Sequence, residues 1–344
     1  MKILKCFLLS LFWVSLGHSA ELGGRVEAFT LDSAALRGNL SGDDPARSVS
    51  VYLPPGYDAQ PDKRFPVLYF LHGFTDSDAQ WFGRESHWIH LNEILDRIYE
   101  AGGAKEMIVV MPNAYNRFRG SMYGSSETVG DWEHFIAREL VEFIDERFRT
   151  VANRAGRGLA GHSMGGYGAI RIGMKNPEVY AALYLLSPCC MELLDFEPND
   201  PLFERLTSVE SDADIAELNF FEIATLASAA AWAPNPENPP LYLDLPVQDG
   251  AINPKIAAKF AANATLVVVD QYIPALRQFE ALAMDVGDED SGIALATAEL
   301  SAVLNAYGID HLYEEYQGDH LNRIAERIRH QVLPFFTKHL QFAE

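Results

Sequence analysis

The sequence predicts an α/β fold, with a mostly parallel central sheet, helices on both faces and an insertion over the sheet's C-terminal edge. Apolar, β-branched runs alternate with helical patterns through the first half of the chain. Most of those runs are apolar without interruption and end in turn residues, as strands buried on both faces do. After residue 188 the rhythm breaks into a proline-rich stretch, and then it resumes. Strand and helix in alternation imply crossover connections, and crossovers imply parallel pairing.

Taken in order, SVSVYLP (48–54) alternates at period two, whereas FPVLYFLHG (65–73) and MIVVMPN (107–113) are near-continuous. GRGLAGHS (156–163) and AALYLLSP (181–188) have the same character. Helical patterns fill 87–102, 131–149 and 164–177. The middle one is amphipathic through Phe135, Leu140, Phe143, Ile144 and Phe148, with Asp131 placed as its N-cap. Residues 189–264 read as the insertion, with APNPENPPLYLDLP (233–246) as loop and 214–233 as helical. Strands are expected again at 279–287 and 311–318, and helices at 291–308 and 321–340.

The N-terminus, MKILKCFLLSLFWVSLGHSA, has a basic start, an apolar stretch from Cys6 to Leu16 and a mostly small-residue exit. That is the pattern of a secretory signal over residues 1–20, leaving residues 21–344 as a single exported domain in the periplasm or outside the cell. The apolar run falls short of the about 20 residues a bilayer span needs, so no stable membrane insertion is expected after cleavage. The formal charge of −21 argues against nucleic acid and anionic surfaces as partners. Cleavage would leave Cys189 and Cys190, and adjacent cysteines make a strained ring, so free, packed thiols are expected rather than a disulfide framework.

Residues 159–168, LAGHSMGGYG, crowd one serine with glycine and alanine. Within them GHSMG (161–165) fits G-x-S-x-G between a predicted strand and a predicted helix. Small residues at Gly161 and Gly165 permit a sharp turn that projects Ser163 from the top of the sheet. A phosphate cradle would need a lysine after the glycines, and Tyr167 stands there instead.

A serine hydroxyl needs a base, and the base an orienting acid. His320, in QGDHLNR, follows the last predicted strand and is the candidate base; His311, His330 and His339 read as packed or solvated. The acid belongs after the preceding strand, in MDVGDEDSG (284–292), where spacing from Gly287 favours Asp290, with Asp288 as the alternative. Two backbone amides, those of Phe74 in HGF (72–74) and Met164, are the candidate oxyanion donors. GSMYGSSETVGDW (120–132) is expected to face the same cleft, with Tyr123, Ser126 and Trp132 as candidate substrate contacts and a merely structural loop as the alternative. The aromatics Phe220, Phe221, Trp232 and Tyr242 are expected to form the insertion's own small core, with the acyl pocket as their alternative place.

LYFLHGF, GDWEHFIARELVEFIDERFR, LAGHSMGGYGAI, MDVGDEDSG and EYQGDH, in that order, resemble the esterase family of the α/β-hydrolase superfamily. Its members include feruloyl and acetyl-xylan esterases, S-formylglutathione hydrolases, enterochelin esterases and secreted mycolyltransferases. The likeness covers roughly residues 48–190 and 278–338. It implies the α/β-hydrolase fold, with Ser163 as nucleophile, Asp290 as acid, His320 as base, and Phe74 with Met164 as the oxyanion hole. It further implies a small-molecule or carbohydrate-linked ester as substrate, with neither metal nor organic cofactor. Acyl transfer to a sugar or lipid alcohol shares the same chemistry up to the acyl-enzyme. A non-catalytic binding protein on the same scaffold is the reading from another class; such proteins usually lose one of the three residues, and all three candidates are present here.

Overall fold

The computed structural model describes residues 23–343, so the expected signal segment at 1–20 lies outside the described residues. Eight strands make one sheet: β1 (Arg25–Asp32), β2 (Ala46–Leu53), β3 (Val67–Leu71), β4 (Ile108–Pro112), β5 (Arg157–His162), β6 (Ala182–Leu186), β7 (Ala281–Gly287) and β8 (Leu312–Tyr316). Their spatial order is β1-β2-β4-β3-β5-β6-β7-β8. β2 runs antiparallel to both β1 and β4, and the remaining pairings are parallel. β1 was not among the expected strands. It is an edge strand exposed or half-buried along its length, so its sequence RVEAFTLD carries no buried apolar run.

The central strands divide their side chains between two cores. In β3, Val67, Tyr69 and Leu71 enter one, and Leu68 and Phe70 the other. α1 (Leu91–Glu100) covers the second face with Leu91, Leu95 and Ile98, beside α8 (Leu333–His339) with Leu333, Phe335 and Phe336. The first face is covered by α2 (Leu140–Arg147), α3 (Met164–Lys175) and α7 (Ser291–Ala306). Burial of one such large apolar side chain stabilises by about 1.5–3 kcal/mol, so the two cores fix which way the sheet faces.

Several expected helices differ in detail. The pattern at 87–102 becomes helical only at Leu91. α2 is preceded by a π-helical turn, Phe135–Glu139, and α8 by another, Ile328–Val332. The stretch 214–233 is broken at Asn219, whose side chain accepts from the Phe221 and Glu222 amides while Glu222 reaches back to the Asn219 amide. This capping box starts α5 (Phe220–Trp232) afresh. The connection from β6 to β7 also holds α4 (Pro201–Thr207) and α6 (Pro254–Ala261), and short turns carry it on to residue 280. Among the described residues, no helix is long and apolar enough to cross a membrane.

The turn from β5 into α3 places the site, and glycines make it possible. A Cβ on Gly161 would stand 2.2 Å from the Gly165 carbonyl oxygen, and one on Gly165 would stand 2.0 Å from that of Leu71. Neither neighbour is a side chain that can swing away. Gly165→Ala should therefore cost about 3 kcal/mol or more of unfolding free energy in a denaturant titration. Gly292→Ala in α7, where a Cβ meets nothing within 4 Å, should be neutral or up to about 1 kcal/mol more stable.

Candidate active site

Ser163 stands alone between the last residue of β5 and the first of α3, with φ 56° and ψ −117°. A non-glycine residue pays strain there, and it holds because the flanking strand and helix fix both ends. The Ser163 amide donates to Leu186 on β6, and its carbonyl accepts from the Tyr167 and Cys189 amides. With the backbone pinned, the hydroxyl can point only off the end of the sheet.

His320 Nε2 lies 2.9 Å from Ser163 Oγ, and His320 Nδ1 lies 2.6 Å from Asp290 Oδ2. The serine, the histidine and the favoured carboxylate are thus within hydrogen-bonding distance in sequence. Asp288 has a different place. Its Oδ1 accepts from the Gly318 amide at 3.0 Å, while the Glu289 amide donates to the Gly318 carbonyl at 2.9 Å. These bonds lace the loop after β7 to the loop after β8, and so they set where His320 begins.

Behind His320 sits a second imidazole that the sequence reading passed over. His162 is buried, with its ring centroid 4.8 Å from that of His320 and its Nε2 3.0 Å from the His320 carbonyl oxygen. Burial first, and then the adjacent His320, push its pKa down to about 3. A neutral His162 carrying its proton on Nε2 donates to that carbonyl and holds the loop without competing for charge. Trp81 packs at 6.1 Å from His162, and its indole N–H donates to Asp76. Burial raises the Asp76 carboxyl, but hydrogen bonds from His87 and Trp81 outweigh it and leave the pKa lowered.

Gly73 packs against the site: a Cβ there would stand 3.6 Å from the Ser163 Cβ. Among the described residues, neither the Phe74 nor the Met164 amide donates to another backbone carbonyl outside regular secondary structure. Met164 opens α3, whose first amides have no partner within the helix. His72 is buried, its Nδ1 2.8 Å from the Gly73 carbonyl and its Nε2 accepting from the Ala114 amide. Both ring nitrogens are spent on structure.

A cavity of about 440 Å³ opens at this point, and Ser163, His320, Asp290, Phe74 and Met164 all line it. The β6–β7 connection supplies the opposite wall, including Leu194, Phe220, Phe221, Trp232 and Phe260. Cys189 and Cys190, expected to be packing residues, are free thiols and line the cavity too. Hydrogen bonding to Cys189, with burial, pushes the Cys190 thiol well above its ordinary value, which leaves it protonated. Among the described residues, no group of three or more His, Cys, Asp or Glu side chains could hold a metal ion.

The expected substrate contacts in the 120–132 loop do not line the cavity. Tyr123 is fully buried, donates to the His72 carbonyl at 3.2 Å and fills the space left by Gly168. Trp132 is buried with its indole N–H on the Val129 carbonyl and the Arg47 guanidinium over its ring. Ser126 donates to the Ala230 carbonyl at 2.9 Å, tying the loop to α5. The loop does reach the cleft, but through Met122. Aromatics beside a glycine-rich loop look the same in sequence whether they face inward or outward. The insertion aromatics divide as well: Trp232 is buried, whereas Phe220 and Phe221 are exposed and line the cavity mouth instead of forming a core.

Two predictions follow from this geometry. Asp290→Asn should lower turnover of a p-nitrophenyl ester by about 10³- to 10⁴-fold, while Asp288→Asn should cost less in turnover and more in thermal midpoint; the reverse ranking would reassign the acid. The second concerns pH. Between 6.5 and about 3, the unfolded chain carries a proton at His162 that the folded protein excludes, so stability falls as pH drops through that window. Asp285, buried in β7 and held up to about 6, opposes this, since from 3.8 upward the folded protein keeps a proton the unfolded chain has lost. His162→Gln keeps a donor for the His320 carbonyl and should flatten the acid loss of stability, measured as denaturation midpoint against pH.

Comparison with known proteins agrees with the architecture. The family model described as Esterase matches residues 44–324. An endo-1,4-beta-xylanase/feruloyl esterase of Xylanibacter ruminicola is 33% identical over 146 residues, 41% of this chain and 19% of that protein. An esterase of Mycobacterium tuberculosis is 34% identical over 133 residues, 37% of this chain and 26% of that protein. The chain thus spans about a fifth to a quarter of the length of these curated relatives. A solved ferulic acid esterase superposes with a TM-score of 0.64 at 23% identity, covering 93% of this chain and 99% of that one. A fluorophosphonate-binding serine hydrolase of Staphylococcus aureus gives 0.61 at 16% identity, covering 92% and 99%. These likenesses show the α/β-hydrolase fold. Because the matching model runs unbroken from the start of β2 past His320, well over half the residues, the chain belongs to the esterase family.

Proposed function

We propose that the protein is an exported serine carboxylic ester hydrolase that works through an acyl-enzyme on Ser163. The observation that carries this is the pair of contacts at His320, 2.9 Å to Ser163 Oγ and 2.6 Å to Asp290 Oδ2. Asp290 accepts from Nδ1–H and so leaves Nε2 free to take the serine proton. The oxygen of Ser163 attacks the ester carbonyl carbon as its proton passes to His320. The negative charge that develops on the carbonyl oxygen is met by the amides of Phe74 and Met164. His320, now an imidazolium held by Asp290, returns the proton to the departing alcohol as the ester C–O bond breaks. A water then repeats the sequence on the acyl-enzyme and releases the acid. No step in this route calls for a metal or an organic cofactor.

Hydrolysis, rather than transfer of the acyl group to a second alcohol, is the reading taken because the chain belongs to the esterase family. We take the β6–β7 connection, centred on residues 189–264, as a cap that shapes the acyl and alcohol subsites. The substrate is a small or carbohydrate-linked ester, and the chain's acidity weighs against anionic polymers. Export rests on the N-terminal segment alone.

Ser163→Ala should abolish labelling by a fluorophosphonate probe and lower turnover of short p-nitrophenyl esters by about 10⁴-fold or more. Activity in that variant equal to the parent's would reject the assignment.

A further inference from the structure

The cavity mouth carries an apolar surface that the chemistry at Ser163 does not require. Leu193, Leu194, Phe220 and Phe221 are 55%, 42%, 55% and 76% exposed, four of the large hydrophobic side chains that the fold leaves in water. Three of them, Leu194, Phe220 and Phe221, also line the cavity that holds Ser163. The aromatic rings form a ladder leading inward: Phe221 meets Phe220 edge to face at 5.6 Å, and Phe220 meets Phe74 edge to face at 5.6 Å. The ladder is fixed at its base, because the Asn219–Glu222 capping box holds the first turn of α5, where both phenylalanines sit. Single exposed hydrophobic residues are ordinary, but a contiguous set around a concave site marks a contact surface.

Position and charge narrow what can cover it. A permanent protein partner on these residues would close the cavity and deny a substrate access to Ser163. The occupant must therefore come and go with the substrate, or be the substrate. Charge narrows it further. Besides the Cys189 and Cys190 thiols, the ionisable side chains among the described residues lining the cavity are His320 and the two carboxylates of Asp290 and Glu192, with no lysine or arginine. Glu192 makes no ion pair among the described residues, and the whole chain carries −21. An anionic surface would be repelled at the mouth.

We propose that this rim is a docking surface for neutral, aggregated ester substrates, such as droplets of an uncharged, poorly soluble ester, and that the enzyme works faster at such a surface than on dispersed molecules. The inference rests on the ester-hydrolase reading above. Burying the rim against an apolar phase removes several half-exposed hydrophobic side chains from water. It also delivers the acyl chain along the Phe221–Phe220–Phe74 ladder toward Ser163.

The test takes tributyrin, a neutral triester, through its solubility limit while acid release is followed. The rate should rise about 5- to 10-fold above the plateau reached with dispersed ester, the equivalent of about 1 kcal/mol. Leu193→Asp should remove that rise, since Leu193 is exposed next in sequence to the lining residue Leu194 and does not itself line the cavity, yet keep p-nitrophenyl acetate turnover and fluorophosphonate labelling at the parent's level. Leu295→Asp, which places the same charge at a 75% exposed site on α7, should keep the rise. A rate that passes smoothly through the solubility limit, or a rise that survives Leu193→Asp, would overturn the proposal. An equal rise on droplets carrying anionic phosphatidylglycerol would overturn its charge selectivity. A dimer in solution that Leu193→Asp dissociates would reassign the rim to a second copy of the chain. Absence of p-nitrophenyl acetate turnover and of labelling in the parent would instead sink the esterase reading beneath it.

Discussion

The site depends on one close approach of main chain to main chain. Where β5 turns into α3, Gly165 packs on the carbonyl at the end of β3, and Gly161 packs on Gly165 itself. Gly166 faces Pro188 just after β6, and Gly168 leaves the room that Tyr123 fills. The helix is thereby seated within contact distance of three strand ends. The strain at Ser163, of order 1–3 kcal/mol for a residue in so sparsely populated a conformation, is offset by the packing of α3 onto the sheet. A turn built this tightly has little freedom to relax, so the hydroxyl direction and the Met164 amide direction are set together.

The other two members of the site arrive on loops, and loops by themselves are poor at holding ångström geometry. Here they are coupled. β7 and β8 are parallel neighbours, so their C-terminal loops emerge side by side. Gly287 lies so close to the Gly318 carbonyl that a Cβ would be 2.2 Å from it. Asp288 and the Glu289 amide add their bonds to Gly318. Beneath them Arg327 joins the buried Asp285 of β7 to Glu314 of β8. Breaking one partner of such a buried pair would leave a charge without compensation, so the clamp holds the two strand ends in register. His162, on the strand that leads into Ser163, then grips the His320 carbonyl. The strand that leads into Ser163 and the loop that carries His320 are thus tied by a contact separate from the one between Oγ and Nε2.

Much of this was legible in the sequence, and the parts that were not share a cause. Six inner strands of the sheet could be read because burial on both faces, or strict alternation, leaves an apolar signature. The two edge strands lack one: β8, with only Tyr316 buried, was legible from its place between two helical patterns, and β1 had no such neighbours to mark it. Ser163, Asp290 and His320 could be picked out because each stands at a fixed place relative to a strand end, and strand ends are what apolar runs mark well. For Tyr123 and Trp132 the choice between substrate contact and structural loop stayed open, because a large aromatic beside glycines announces a void to be filled and the sequence does not say whether the void is a pocket or the core; both are buried. For Phe220 and Phe221 the choice between core and pocket stayed open as well, and both line the cavity. Their exposure depends on where a helix begins, and Asn219 with Glu222 could have signalled that start, since the pair forms the N-cap pattern. His162 went unnoticed because a histidine next to a serine in a turn motif reads as filler; only its contact with a residue more than 150 positions away gives it a role.

The cavity has two walls of different origin, and that division explains which properties of the protein are general and which are its own. Ser163, Met164, Phe74, Asp290 and His320 come from the loops at strand ends, where the sheet dictates position. Leu194, Phe220, Phe221, Trp232 and Phe260 come from the connection between β6 and β7, which lies outside the sheet and packs onto it through buried residues such as Ile223 and Leu226. On the ester-hydrolase proposal, chemistry would belong to the scaffold and selection to the connection. Phe74 and Phe220 join the two walls edge to face at 5.6 Å. One ring belongs to the residue whose amide is the proposed oxyanion donor, and the other to the exposed first turn of α5. On the ester-hydrolase proposal, a substrate group that tilted Phe220 would press on the Phe74 ring, and so would couple the identity of the acyl group to the geometry of the proposed oxyanion donor.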